Sequence, residues 1–104
     1  VNVLNNREGF MSNITIKYLQ EIIKNKDYNP ELKQEYFFKL IEEVGELSEV
    51  IRKNKRMKGN KIKGTIEEKL YDVLYYNLVL ANAYDINLEE CFYLKEELNR
   101  KKSK

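Results

Sequence analysis

Five carboxylates in this chain stand at spacings that could do chemistry together. Glu42-Glu43-Val44-Gly45-Glu46, continuing to Glu49, sets acidic side chains three and four residues apart, and Asp72 stands alone in a later apolar run. Side chains at that spacing share one side of a helix, and oxygens that converge on a point suit a hard cation. A solvated acidic face is the plainer reading of the same pattern. With Phe37, Leu40, Ile41, Val44, Leu47 and Ile51 taken as the inward stripe, Glu43 falls near its edge, while Glu42 and Glu46 lie nearly opposite. Asp72 is more demanding. Val73, Leu74, Tyr75, Tyr76, Leu78, Val79, Leu80, Ala81 and Ala83 cover every side of its segment, and Tyr76, Val79 and Ala83 share its face. An ionised carboxylate in such surroundings costs several kcal/mol unless it is paired. Either a Lys or Arg answers it, or it shares a metal with Glu43 and Glu46.

What the chain lacks narrows the chemistry further. It has no histidine and one cysteine, Cys91, in 104 residues. Ser-His-Asp and Cys-His catalysis, His-ligated zinc, intrachain disulfides and Cys-rich metal sites are thereby excluded. Nineteen Lys and Arg against seventeen Asp and Glu give a net charge of +2, so a globally basic nucleic-acid binder is not expected. No apolar run approaches the ~18 residues of a membrane span, no secretory signal is visible, and the lone cysteine suits a reducing compartment. The expectation is a cytoplasmic protein with neither a membrane nor a nucleic-acid partner. A domain of this length buries roughly 60–65% of its unfolded surface, so packing against further copies is the readiest source of added stability.

The elements that must position these residues read as all-α. Asn13–Lys26, with Ile14, Tyr18, Leu19, Ile22 and Ile23, forms a short amphipathic helix. Asn29-Pro30-Glu31 starts a second, with Asn29 as cap, which runs to about Lys55. Gly45 within it is expected to admit close packing. Residues 52–64 form a basic, mobile connector punctuated by Gly59 and Gly64. Thr65 with Glu68 supplies a capping box for a third, central helix ending near 83–85. Asn87 with Glu90 opens a fourth, which runs into the basic tail 100–104, and Cys91 reads as a small buried apolar residue. Met11-Ser12 would suit a natural start, so residues 1–12 are expected to be a poorly ordered extension and 13–104 a single helical domain.

Lys39 through Lys53, around Glu42-Glu43-Val44-Gly45-Glu46, resembles the first signature of the MazG-like nucleoside triphosphate pyrophosphohydrolases, which belong to the all-α NTP pyrophosphatases. Glu67-Glu68-Lys69-Leu70-Tyr71-Asp72 resembles the second, and the similarity continues through Asn82 and Glu89-Glu90 to Arg100. The resemblance implies a four-helix bundle-like fold that packs as a dimer or tetramer. It implies Mg²⁺, with Mn²⁺ as an alternative, held by Glu43, Glu46 and Asp72, with Glu42 as helper or base. The implied reaction is metal-assisted attack of water on the α-phosphorus of a nucleoside triphosphate, releasing nucleoside monophosphate and pyrophosphate. Such phosphoryl transfer needs positioning and charge neutralisation and no imidazole. Lys95, Asn99 and Arg100 match the phosphate-contacting segment, although a solvated basic helix end accounts for them equally. Lys53 belongs to the basic connector that could steer an anionic nucleotide, and Tyr76 and Asn82 could meet its base or ribose, unless they serve packing alone.

The chain departs from the family pattern at one point: Lys69 stands where a glutamate is expected three residues before Asp72. Glu68, a helical turn before Asp72, either takes over as ligand or closes the capping box. Lys69 itself could act as a fixed cation in the vacated place, which would make the chain a catalytically degenerate nucleotide- or partner-binding module.

Overall fold

The computed structural model describes residues 14–102, which form four α-helices: α1 (Ile16–Lys26), α2 (Lys33–Arg52), α3 (Ile66–Ala83) and α4 (Leu88–Lys102). The extension 1–12 and the expected helix start at Asn13 lie outside the described residues. α1 begins at Thr15, whose extended backbone lets its hydroxyl accept from the Tyr18 N–H at 3.0 Å. A 3₁₀ turn, Pro30–Leu32, precedes α2, and Asn29 does not cap it. Its amide instead donates to Tyr36 Oη at 3.1 Å and to Asp27, and the Tyr36 hydroxyl donates to Asp27 at 2.8 Å. A tertiary bond has taken the side chain that local chemistry assigned to the helix end.

α2 stops three residues short of the expected end because Asn54 turns left-handed, at φ 52°. The Lys55 N–H then reaches back to the Val50 carbonyl at 2.9 Å, closing the end as a Schellman motif. Asp85, at φ 55°, does the same for α3, where Ile86 N–H bonds the Ala81 carbonyl at 2.9 Å. Thr65 caps α3 as expected, accepting from Glu68 N–H, while Glu68 Oε1 accepts from Gly64 N–H at 2.7 Å. Asn87 caps α4 by accepting from Glu90 N–H at 3.1 Å.

The core is small and lies where α1, the start of α2 and the second half of α3 meet. Ile23, Tyr36, Leu78, Val79 and Ala83 are buried there, with Leu19, Tyr75, Tyr76, Leu80 and Leu88 packed on them. The stripe assigned to the inside of α2 is corrected by this packing. Phe37, Ile41, Val44 and Ile51 are exposed, and the covered face runs through Tyr36, Leu40, Glu43, Leu47 and Val50. Periodicity finds an apolar face without saying which neighbour covers it, and α3 covers the other side. The centrality of α3 is also only partial: Leu70, Tyr71 and Leu74 in its first half are exposed. Gly45 admits no close approach, since a Cβ there would meet nothing within 4 Å. Cys91 is exposed, as are Phe92, Tyr93, Leu94 and Leu98 along α4.

The basic connector is pinned to the head of α3. Lys58 and Lys61 bridge across a turn at Gly59, and Ile66 N–H bonds the Lys55 carbonyl at 2.8 Å. Glu67 accepts from Met57 N–H at 2.9 Å and from Arg56 Nε at 2.8 Å. The Met57 N–H, with Arg56 adding to it, lowers the Glu67 carboxyl from its ordinary value. A carboxyl lowered in the folded state contributes stability above its unfolded pKa and loses it as pH falls through the folded one. Glu67→Ala should therefore loosen residues 55–63, with trypsin cutting there several-fold faster at neutral pH; acidification should close the gap between variant and wild type. Equal cleavage rates at neutral pH would contradict this.

Candidate functional site

α2 and α3 lie side by side, and at their contact three carboxylates from two helices turn toward one ammonium. Lys69 Nζ is 2.8 Å from Glu46 Oε1, 3.4 Å from Asp72 Oδ2 and 4.0 Å from Glu43 Oε1, with Glu68 Oε1 at 3.9 Å. Helical spacing explains the gathering. Glu43 and Glu46 are three apart on α2, Lys69 and Asp72 three apart on α3, so each pair presents one face to the other. Glu42 turns away to an exposed ion pair with Lys39 at 3.2 Å. Of the two expected fates of Asp72, the structure shows the lysine partner, which Asp72 shares with Glu43 and Glu46.

Glu43 carries the electrostatic tension of the site. It is only 6% exposed, and its Oε1 is buried with no hydrogen-bond partner. Burial, reinforced by Glu46 and then Asp72, pushes its carboxyl above the ordinary value, outweighing the pull of Lys69. Glu46 moves the opposite way, lowered by its bond from Lys69. Lys69 is raised well above a free lysine, chiefly by that same bond to Glu46 and despite partial burial. Four acidic groups surround one cation, so an excess of negative charge remains.

This donor set is chemically right for a hard divalent ion: all oxygen, contributed by two rigid helices, with one buried oxygen lacking a hydrogen-bond partner. The spacing is that of an ammonium complex, however. Among the described residues no three acidic side chains gather closely enough to hold an ion as they stand. Glu43, Glu46 and Asp72 are the residues that could hold one, with their side chains rearranged. Glu68 is less available, because its Oε1 is engaged by the Gly64 N–H.

Tyr76 borders the cluster. Its ring lies 5.8 Å from Lys39 Nζ and meets Tyr75 edge-on at 5.1 Å. Asn82 lies ten residues beyond Asp72 along α3, about 15 Å away at the helical rise. Both ends of its amide are engaged: Oδ1 accepts from Gln20 Nε2 at 2.9 Å, and Nδ2 donates to the Gln20 carbonyl at 2.9 Å. It also borders a shallow pocket of about 250 Å³ with Lys17, Gln20, Asp85 and Asn87. Lys53 pairs with Glu49 at 3.0 Å at the end of α2. Lys95, Asn99 and Arg100 stand exposed on α4, with Arg100 paired to Glu97. Within the described chain, then, Glu43, Glu46, Glu68 and Asp72 come together with Tyr76 at their margin, whereas the α4 residues and Lys53 stand on other surfaces.

Two contributors escaped the sequence reading. Gln20 ties α1 to α3 and α4, its Nε2 also donating to the Ile86 carbonyl at 2.8 Å and its Oε1 accepting from Leu88 N–H at 3.0 Å. The available signal was a polar residue flanked by Leu19 and Ile23 in the amphipathic pattern of α1. Glu67, the anchor of the connector, gave no signal beyond its place in the first turn of α3.

The model of the MazG nucleotide pyrophosphohydrolase domain matches residues 31–103. Two crystal structures of iMazG from Vibrio DAT 722, one with a C-terminal and one with an N-terminal tag, share 53% identity with this chain. The first superposes with a TM-score of 0.79 over 84% of this chain and 99% of its own, the second with 0.80 over 86% and 97%. Among curated proteins, none matches.

Proposed function

Because the chain belongs to the MazG nucleotide pyrophosphohydrolase family, we propose that it hydrolyses a nucleoside triphosphate to nucleoside monophosphate and pyrophosphate at the Glu43–Glu46–Asp72 cluster. The observation that carries this reading is the convergence of those carboxylates from α2 and α3, with one Glu43 oxygen buried and unanswered. Bound Mg²⁺, or Mn²⁺ in its place, would neutralise the phosphates and ease deprotonation of an attacking water.

The chain's own residues set the rest. An acidic cleft repels a bare triphosphate, so the nucleotide must arrive with its cation. Glu43, Glu46 and Asp72 hold the cation side of that complex, and Glu42, at the rim, is placed to assist as base. Tyr76 offers a ring to a base or ribose near the cluster. Asn82 reaches a nucleotide only from its pocket edge, with its amide still committed to Gln20. Lys53, Lys95, Asn99 and Arg100 would meet phosphates when brought to the cluster by a second subunit. The exposed apolar faces of α2 and α4 support such packing into a homodimer or homotetramer. No helix among the described residues is long and apolar enough to cross a membrane.

Purified protein with MgCl₂ and a panel of canonical and modified nucleotides should yield nucleoside monophosphate and pyrophosphate in equal amounts from at least one substrate, and nothing in EDTA. Nucleoside diphosphate with orthophosphate, or no turnover across the panel, would contradict the reading. Lys69 at the centre of the carboxylates favours a second one, a non-catalytic nucleotide-binding module. That module would show nucleotide-induced thermal stabilisation without hydrolysis.

A further inference from the structure

We propose that Lys69 is the resident counter-ion of this site: its ammonium holds Glu43, Glu46 and Asp72 together when no divalent ion is bound, and must withdraw for one to enter. This inference rests on the metal-site reading above and deepens it. Lys69 is the only residue whose cation lies within 4.0 Å of all three carboxylates among the ion pairs of the described residues. Its side chain is 18% exposed, largely enclosed by the site.

The geometry shows an incomplete fit, and that is informative. Of three N–H donors, two are directed within hydrogen-bonding reach, to Glu46 at 2.8 Å and Asp72 at 3.4 Å. Glu43 at 4.0 Å and Glu68 at 3.9 Å are attracted but not bonded. One positive charge therefore offsets only part of the acidic cluster and leaves the buried Glu43 oxygen unsatisfied. A divalent ion could answer all three carboxylates, but it must displace Lys69 from its two bonds. Lysine suits the exchange, because its charge rides on a flexible four-carbon stem and can swing out without backbone movement. Metal binding and Lys69 withdrawal are then coupled, and the coupling lowers apparent metal affinity in the resting protein.

The decisive comparison uses the full chain without nucleotide. Mn²⁺ binding is followed by the loss of the free-ion paramagnetic resonance signal, and melting is followed in EDTA and in Mn²⁺. Lys69→Met should bind Mn²⁺ more tightly than wild type, on the order of tenfold. It should also melt lower than wild type in EDTA and recover in Mn²⁺. Lys69→Arg, which keeps the charge, should melt close to wild type in EDTA and bind Mn²⁺ as weakly. Mn²⁺ affinity of Lys69→Met no greater than wild type, or equal melting in EDTA, would overturn the proposal. If Lys69→Met does not fold in EDTA, refolding in Mn²⁺ decides: recovery of folded protein supports the proposal, and failure to recover overturns it. No nucleotide enters these readouts, so they fail or pass independently of whether the protein turns over a substrate.

Discussion

Replacing Glu43 by Gln is expected to separate activity from stability. Pyrophosphate release should fall by about 100-fold or more, since even the outer partners of metal ligands cost 10–100-fold when removed. The fold should not suffer. Glu43 is buried, one of its oxygens has no hydrogen-bond partner, and its carboxyl is pushed up by burial and by Glu46 and Asp72. A carboxyl raised in the folded state favours the fold below its unfolded pKa, and that contribution is lost as pH rises through the folded pKa. At neutral pH its charge therefore opposes folding, and an amide of the same shape removes the charge. The metal-free variant should melt at or above wild type, the usual relation between a functional site and stability. Parallel measurement of kcat/KM and Tm checks both halves. A variant that melts several degrees lower while retaining turnover would mean that Glu43 is a structural residue.

The second large effect is expected far from the carboxylates, at the Gln20–Asn82 pair. Two side chains make four hydrogen bonds there, joining α1 to the end of α3 and the start of α4. Asn82→Ala leaves one Gln20 amide hydrogen unsatisfied in a buried place and removes the second bond to the Gln20 backbone carbonyl, which α1 itself still engages, at a cost of about 1–3 kcal/mol. In a domain this size that is a fall in Tm on the order of 10 °C. Gln20→Ala should cost a similar amount, and the double variant much less than the total of the two, because the residues share partners. Chemical denaturation of the four proteins of this cycle measures the coupling. If Asn82→Ala keeps its stability and loses only activity, Asn82 acts on the nucleotide rather than on the fold.

These expectations mark where sequence was sufficient. Thr65 and Asn87 announced the starts of α3 and α4 because capping is local chemistry, written within four residues. Spacing and the cost of a carboxylate in an apolar run left the convergence of Glu43, Glu46 and Asp72 as one of two alternatives, and it was the family resemblance that favoured it. The departure at Lys69 was visible too, though its place at the centre of the cluster was one of several open outcomes. Other features depend on what lies opposite. The α2 stripe from Phe37 to Ile51 is apolar, yet α3 covers the neighbouring face, and no local pattern encodes that choice. Asn29 was a sound cap by type but was claimed by Tyr36 and Asp27. The helix end at Asn54 was placed late because a left-handed Asn is less conspicuous than Gly, which serves more often at such positions. Gln20 was hidden for a simpler reason: a polar residue on an amphipathic helix gains meaning only when its partner, 62 residues away, is brought beside it.

The central claim is that the carboxylates around Lys69 receive the cation of a metal–nucleotide complex. Crystals grown with Mn²⁺ and a non-hydrolysable nucleoside triphosphate, measured for anomalous scattering, test it most directly. The account predicts a Mn²⁺ peak among Glu43, Glu46 and Asp72, with the Lys69 ammonium moved off Glu46. Nucleotide bound with its Mn²⁺ elsewhere on the protein, and Lys69 still bridging Glu46 and Asp72, would contradict it.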